Sequence, residues 1–175
     1  MTEHTRPPGA PRRRRRKPTS AQPERTAVAA VAHIDPTDYI PTGFADLGVP
    51  ANVDLGLMAA GFTAPFAIQT QAIPVALKGG DVCGRAKTGS GKTLAFGVPM
   101  LARLDGVAEP RRPLGLVLVP TRELALQVAE VLAPVVAACN RRVLAVYGGA
   151  SRHQQIDTLE AGTDLVVATP LRLID

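Results

Sequence analysis

Eight consecutive residues, 86–93, carry donor groups in a spacing suited to phosphate. Gly89 and Gly91 let the backbone curl so that successive N–H groups point at one anion. Lys92 adds a positive charge for the β and γ phosphates, and Thr93 offers a hydroxyl to Mg²⁺. The pattern is that of a phosphate-binding loop, with Ala86 in place of the usual first glycine. The full run is Ala86, Lys87, Thr88, Gly89, Ser90, Gly91, Lys92 and Thr93.

The residues on either side of this loop supply the setting that such a loop needs, which is a strand before it and a helix after it. Residues 81–86 predict a short strand, and residues 93–101 predict a largely apolar helix, although Gly97 and Pro99 weaken that helix. The alternative is a flexible Gly/Ser loop with a solvated lysine, and the flanking pattern argues against it.

The rest of the chain alternates strands with helices. Apolar runs predict strands at 114–119, 142–147 and 164–168, the first of them buried on both faces of a sheet. Helices are predicted at 52–61, with Val53, Leu57 and Met58 on one face, and at 68–77, broken or kinked by Pro74. A third runs from Thr121 with an apolar stripe through Leu124, Val128, Val131, Leu132 and Val135; others are 151–161 and one starting at Thr169. Four strand–helix alternations predict a doubly wound α/β fold with a parallel sheet, whose ligands lie at the carboxyl ends of the strands.

Charge divides the 175-residue chain into two parts. Residues 1–17 hold seven basic side chains and one acidic one, whereas the remainder holds thirteen basic and fourteen acidic groups. Residues 1–40 are rich in Pro and Arg and are predicted to be a disordered basic tail, and residues 41–175 to be the ordered domain. The run from Arg12 to Lys17 either contacts RNA phosphates or only solubilises the chain.

The two cysteines and the hydropathy pattern indicate a cytoplasmic protein. Cys83 and Cys139 are far apart in apolar runs and predict buried free thiols in a reducing compartment. The chain has no stretch of roughly 20 apolar residues, the length that a membrane span needs, and no signal peptide is predicted.

Four further stretches, taken in order with the phosphate loop, closely resemble one known family. They are 61–69, 120–125, 148–149 and 169–172. The set is similar to the first helicase domain of the DEAD-box ATP-dependent RNA helicases, over about residues 44–175. The resemblance implies a RecA-like P-loop NTPase fold, ATP and Mg²⁺ as cofactors, and RNA bound through its backbone without sequence preference.

The resemblance also implies roles for single residues. The loop residues 86–93 would bind nucleotide, Lys92 and Thr93 would be catalytic, and Thr93 would also hold the metal. Gln69 would read the adenine edge and Phe44 would stack on the ring, or else Phe44 is a hydrophobic anchor. RNA backbone would be held by Thr121, Arg122, Gly149, Thr169 and Arg172. The alternatives are helix caps for the two threonines and ion pairs for the two arginines.

This sequence departs from the family pattern in three places. Phe66 replaces a small hydroxyl residue, so one hydrogen bond into the phosphate loop is expected to be lost, and Leu171 replaces the commoner glycine. The Asp-Glu-Ala-Asp motif, which would follow Thr169-Pro170, is not reached by residue 175.

Two functional classes therefore remain open on the sequence. The first is the N-terminal, truncated portion of the ATP-binding domain of an RNA helicase, and the second is a non-hydrolysing RNA-binding stub or chaperone-like module. An unrelated P-loop NTPase is disfavoured by the stretch at 61–69. This 175-residue chain alone is expected to be inactive in ATP hydrolysis and to fold poorly, because the strand before the loop would lack sheet neighbours.

Overall fold

The fold is described from a computed structural model, which describes Met1 and residues 43–175. The predicted disordered tail and its arginine run lie outside the described residues. Among the described residues, no helix is long and apolar enough to cross a membrane.

Between residue 43 and the sheet, the chain forms three α-helices. They are α1 (Ala51–Ala59), α2 (Ala67–Leu77) and α3 (Lys92–Ala102). Pro74 lies inside α2 and Pro99 inside α3, and neither ends its helix. Of the two predicted effects of Pro74, the break is therefore wrong, and the kink stays a prediction. The two helices pack against each other and bury Ile73 and Val98 completely. This burial outweighs the local cost of the prolines.

The helix α1 meets α4 (Arg122–Ala138), the longest of the described helices, at a glycine. A Cβ at Gly56 would lie 3.0 Å from the Ala138 Cβ, so the two helices approach closely there. Val53 and Leu57 are buried as predicted, but Met58 is 56% exposed. The buried face of α1 therefore contains Val53, Gly56 and Leu57, and the predicted place of Met58 on that face is wrong.

Within residues 43–175, three short parallel strands form the sheet. They are β1 (Gly115–Leu118), β2 (Val143–Val146) and β3 (Leu165–Ala168), in the order β1-β3-β2. Val117 pairs with Val167 in one ladder, and Ala145 pairs with Val167 in the other. The strands alternate with three helices, which are α4, α5 (Arg152–Glu160) and the five-residue α6 (Pro170–Ile174).

Helices cover both faces of this sheet, which confirms the predicted doubly wound α/β class. On one face Val117, Leu165 and Val167 join the main core with α4. On the other face Val146, Val166 and Ala168 pack against Leu159 of α5. The central strand β3 is therefore buried along its whole length.

The edge strand β1 differs from its prediction. Leu116 and Leu118 are 44% and 57% exposed, so β1 is buried on one face and not on both. Leu116 and Leu118 pair with Val166 and Ala168 and lie on the same face of the sheet as they do. On that face α5 packs over β2 and β3 but leaves β1 uncovered. The apolar run in the sequence could not reveal which strands α5 would reach.

The predicted strand at 81–86 is absent from the structure. Residues 81–87 have no assigned secondary structure, Val82 is 45% exposed, and Cys83 is exposed rather than buried. A strand exists only where a neighbour takes its backbone hydrogen bonds, and no described residue pairs with this segment in a ladder. The described sheet thus has three strands instead of the predicted four.

Candidate functional site

The phosphate loop forms a tight curl between the extended segment at 81–87 and α3. Gly89 has a φ of +79° and Gly91 a φ of +82°, and both angles lie in the left-handed region that favours glycine. The helix α3 then begins at Lys92, so its free N–H groups and its positive end lie at the loop. The two glycines predicted from the sequence are thus the residues that make the curl.

Lys92 closes this loop on itself. Its Nζ donates hydrogen bonds to the carbonyl oxygens of Ala86 at 2.8 Å and Lys87 at 2.6 Å. An ammonium group has three donors, so one N–H remains for a phosphate oxygen. The exposed lysine side chain is therefore held over the loop by these two bonds.

The hydroxyl groups of the loop fit a phosphate and, in part, a metal ion. Ser90 Oγ is buried and has no hydrogen-bond partner, so this atom is an unused donor inside the loop. Thr93 lies half-buried in the first turn of α3 and could supply one oxygen to Mg²⁺, which accepts few protein ligands beside phosphates. Within the described part of the chain, no group of three His, Cys, Asp or Glu residues could hold a metal.

Gln69 ties the start of α2 to the phosphate loop. Its side chain is 1% exposed. The Oε1 accepts from Phe66 N at 2.8 Å, and Nε2 donates to the Gly91 carbonyl at 2.9 Å. One N–H and one lone pair of the amide are left over. These could face an adenine edge, and adenine recognition by Gln69 stays a prediction.

Phe44 lies in an apolar environment. The residue is 2% exposed and belongs to the main hydrophobic core, beside the 3-10 turn at Ala45–Leu47. This burial fits the alternative of a hydrophobic anchor, and stacking of Phe44 on an adenine ring stays a prediction.

The other predicted residues gather at the carboxyl edge of the sheet. Because β1, β2 and β3 are parallel, Thr121, Gly149 and Thr169 all lie beyond the same edge. The Arg122 guanidinium lies over the Tyr147 ring, 5.1 Å from its centroid. Gly149 has a φ of +87°, and a Cβ there would be 3.1 Å from Arg122 Nη1. The structure therefore brings Arg122 and Gly149 together on an exposed surface.

Thr121 and Arg172 also make the contacts proposed as alternatives, whereas Thr169 does not. Thr121 Oγ1 accepts from Leu124 N at 3.2 Å and caps α4, whereas the Thr169 side chain makes no cap bond. The Arg172 side chain is 16% exposed, with Nη1 donating to the Ala150 carbonyl at 3.2 Å and Nε lying 3.4 Å from Asp175 Oδ2. Its guanidinium thus supports the loop after Gly149, and RNA contact by these residues stays a prediction.

Two residues of this edge were missed by sequence reasoning. Tyr147 carries the Arg122 guanidinium, and Gln155, 8% exposed, donates from Nε2 to the Tyr147 carbonyl at 3.1 Å. The one available signal was an aromatic residue at the end of a strand, directly before a glycine pair. Gln155 gave no signal, because its partner lies eight residues earlier across a turn.

A clamp at the opposite edge of the sheet was also missed. The Arg141 Nη1 lies 2.8 Å from Asp164 Oδ1, and the side chains are 22% and 9% exposed. The guanidinium also donates to the Leu104 and Gly106 carbonyls, and Asp164 Oδ2 accepts from Arg142 N. This network fixes the amino ends of β2 and β3, away from the candidate site.

Comparison with known proteins places this geometry in a family context. The model described as "DEAD/DEAH box helicase" matches residues 66–175. The chain is 45% identical over 135 residues to DEAD-box ATP-dependent RNA helicase 24 of Arabidopsis thaliana, covering 75% of the chain and 18% of that protein. It is 46% identical over 133 residues to ATP-dependent RNA helicase DeaD of Mycobacterium tuberculosis, covering 75% of the chain and 23% of the relative.

A solved structure agrees with the sequence relatives. The crystal structure of a hypothetical ATP-dependent RNA helicase from Sulfolobus tokodaii matches with a TM-score of 0.61 and 37% identity. The match covers 71% of this chain and 35% of the other. The chain therefore spans only a minor part of the length of each of these three proteins.

Proposed function

We propose, since this chain belongs to the DEAD/DEAH box helicase family, that it is the ATP- and RNA-backbone-binding part of an ATP-dependent RNA helicase. The observation that carries the proposal is the phosphate loop. Its curl, its lysine and the start of α3 converge on one point, and Gln69 joins the same loop through the Gly91 carbonyl. A loop that only connected two elements would need neither the buried Gln69 amide nor a lysine bonded to the loop's own carbonyl groups.

In the nucleotide part of the proposal, different residues bind the phosphates and the base. Lys92 and the N–H groups at the start of α3 bind the β and γ phosphates, and the buried Ser90 hydroxyl finds its missing partner there. Gln69 presents its remaining N–H and lone pair to the adenine edge. Mg²⁺, when bound with the triphosphate, would supply charge neutralisation, with Thr93 as its ligand from this chain.

Binding of matched nucleotides to the 175-residue chain tests this half. The chain is expected to prefer ATP and ADP to GTP and GDP, as measured by isothermal titration calorimetry. Lys92→Ala should weaken ATP binding by about 1.5–3 kcal/mol, since a charge-assisted contact is lost. Gln69→Ala should reduce the preference for adenine more than it reduces the affinity for inorganic triphosphate. Equal affinity of the unmodified chain for adenine and guanine nucleotides would contradict the role of Gln69.

The RNA half of the proposal rests on the carboxyl edge of the sheet. Arg122 is exposed at the first turn of α4, its guanidinium is oriented by Tyr147, and the Gly149 backbone lies beside it. An arginine with free N–H groups next to an exposed glycine backbone suits a phosphate, which carries no base information. We therefore assign the direct RNA contact to Arg122 and a supporting role to Arg172.

Salt-dependent binding of a single-stranded RNA oligonucleotide separates these two arginines. Arg122→Ala should lower the log–log salt slope by about 0.7, the value for one lost phosphate contact to a single strand. Arg172→Ala should lower affinity without that change in slope, because its charge faces Ala150 and Asp175. Arg112→Ala is the control, since Arg112 is an exposed arginine paired with Glu109. An unchanged slope in Arg122→Ala would remove the RNA assignment.

Hydrolysis and duplex unwinding are proposed for the full helicase to which this part corresponds. Phosphoryl transfer requires an oriented attacking water as well as bound phosphates. Lys92 and Thr93 position the phosphates and the metal, and no described carboxylate of this chain is assigned to the water. Steady-state ATPase measured with saturating RNA is expected to give no turnover above the Lys92→Ala variant for this chain alone.

A further inference from the structure

The turn between β2 and α5 supplies the Gly149 backbone of the candidate RNA contact. Its centre is Gly148 and Gly149, and Gly149 has a φ of +87°. A Cβ at Gly148 would meet nothing within 4 Å, so this part of the turn is open. Glycine has more backbone freedom than any other residue. The position of the turn must therefore be set by contacts at its two ends.

Two side chains hold the ends of this turn. Gln155 Nε2, in α5, donates to the Tyr147 carbonyl at 3.1 Å, and Arg172 Nη1, in α6, donates to the Ala150 carbonyl at 3.2 Å. Gln155 is 8% exposed and the Arg172 side chain is 16% exposed. Water therefore competes little for these hydrogen bonds.

Hydrogen bonds rather than packing fix the turn on this side of the sheet. Gln155 and Arg172 line a cavity of about 250 Å³, together with Val146, which directly precedes the turn. A space without packed atoms provides few van der Waals contacts. The positions of the two carbonyl groups therefore depend on the two donors.

Tyr147 connects the turn to Arg122. Its ring packs against the main core, and the Arg122 guanidinium lies 5.1 Å from the ring centroid. The core holds the ring, whereas Gln155 holds the carbonyl from which the chain continues. Gln155 therefore determines where Gly149 lies relative to Arg122, whose Nη1 would be 3.1 Å from a Cβ at Gly149.

We propose that Gln155 is a positioning residue for the RNA phosphate contact at Arg122, a role that rests on the proposed binding of RNA. By fixing the Tyr147 carbonyl, Gln155 keeps the Gly149 backbone beside the Arg122 guanidinium, so that both face one phosphate. Because this arrangement exists before RNA binds, binding does not have to order the two glycines. Gln155 itself does not touch the RNA.

Titration of a single-stranded RNA oligonucleotide into matched variants tests this role. Gln155→Met keeps the length of the side chain but removes the donor. It is expected to weaken RNA binding about two- to tenfold, the range for one neutral hydrogen bond. The control is Gln154→Met, the same substitution at an exposed position of the same helix, which should leave RNA affinity unchanged. Equal RNA affinities of the two variants would overturn the proposal.

A double-mutant cycle separates positioning from a purely structural effect. In the Arg122→Ala background, Gln155→Met should reduce RNA affinity less than it does alone, because no guanidinium remains to be positioned. Losses that simply add would mean that Gln155 does not act through Arg122, and the proposal would be wrong. If Gln155→Met does not fold, Gln155→Glu and its control Gln154→Glu give the same comparison at pH 8, since an ionised carboxylate cannot donate.

NMR relaxation measures the turn directly, without RNA. The backbone order parameters of Gly148 and Gly149 are expected to be about 0.85 in the unmodified chain and to fall below about 0.6 in Gln155→Met. Gln154→Met should keep the high values. Unchanged order parameters in Gln155→Met would show that the turn does not depend on Gln155, which contradicts the proposal.

The two proposals fail in different ways. If Arg122→Ala keeps the salt slope of the unmodified chain, the RNA assignment is removed and the role of Gln155 falls with it. If Arg122→Ala lowers the slope but Gln155→Met binds RNA normally, the role of Gln155 is wrong and the proposed function stands.

Discussion

The segment that enters the phosphate loop and the strand β3 differ in what holds them in place. Residues 81–87 make no sheet ladder, and Val82 is 45% exposed. The strand β3, by contrast, pairs with β1 on one side and β2 on the other, and Leu165–Ala168 are at most 2% exposed. Both segments lead to candidate ligand contacts, at Lys92 and Thr169.

The difference shows two ways of positioning a binding residue. At β3 the backbone itself is fixed by neighbouring strands, so Thr169 follows the sheet. At the loop the fixing contacts are side chains: Gln69 holds Gly91, and Lys92 holds Ala86 and Lys87. Because side-chain contacts can be changed one at a time, substitutions in the loop should leave the sheet folded. Substitutions that break the sheet, in contrast, should also disrupt the loop.

Amide hydrogen exchange should show the largest contrast between the two regions. The β3 amides are expected to be protected at least about a thousand-fold more than those of 82–87, because one region opens only on global unfolding and the other has no ladder bonds. Protection should rise again within α3, where Leu94 and Val98 are buried. Mass spectrometry on overlapping peptides measures this, and similar protection in both segments would refute the comparison.

Breaking the clamp at the far edge of the sheet should have the next largest effect. Arg141→Ala leaves the Asp164 carboxylate buried without its ion-pair partner, and should lower the free energy of unfolding by about 3 kcal/mol. The control is Arg112→Ala, which breaks an exposed pair with Glu109 and should cost at most about 0.5 kcal/mol. Urea unfolding followed by far-UV circular dichroism gives both values. An equal cost in the two variants would mean that the buried clamp does not hold the sheet.

Gly89 and Gly91 allow a matched test of the side-chain contacts that hold the phosphate loop. Both have left-handed φ angles, but a Cβ at Gly89 would meet nothing within 4 Å, whereas one at Gly91 would overlap the Gln69 amide. Gly89→Ala is expected to cost about 1 kcal/mol from backbone strain alone. Gly91→Ala should cost about 1–3 kcal/mol more, because packed atoms must move. Equal unfolding free energies for the two variants would show that Gln69 and Phe66 do not constrain the loop.

The two thiols should show the smallest contrast. Cys83 is exposed beside the loop, whereas Cys139 is partly buried, with its Sγ 3.7 Å from the Asn52 carbonyl. Burial raises the pKa of the Cys139 thiol, and the Arg141 charge lowers it by a smaller amount. At pH 8 iodoacetamide should therefore modify Cys83 about tenfold faster, since the thiolate is the reactive form. Peptide mass spectrometry over time measures both rates, and faster reaction of Cys139 would contradict its placement.

The raised pKa of Cys139 also predicts how the stability of the protein changes with pH. When the pKa of a thiol is higher in the folded state, the free energy of unfolding of the protein falls as pH rises. The reason is that the thiol releases its proton at a lower pH in the unfolded chain than in the folded one. The loss begins near the ordinary cysteine pKa and ends at the raised value. Replacing Cys139 by alanine should remove this part of the pH dependence.

Much of the architecture could be predicted from local patterns. The apolar stripe of α4, the cap at Thr121 and the strands near 116, 144 and 166 all depend on residues close together in sequence, and the structure contains them. The glycines of the loop were equally readable, because a left-handed φ is a property of one residue. Side-chain partners across long distances, such as Arg141 and Asp164, gave no such signal.

By itself the sequence determined the phosphate loop, the alternation of strands and helices, and the family resemblance, because each depends on the type and spacing of nearby residues. The tertiary structure alone decided that Phe44 is buried while Phe66 is exposed, that Arg172 faces inward, and that residues 81–86 form no strand. Burial and strand pairing are properties of surroundings, and those surroundings are supplied by residues that lie far away along the chain.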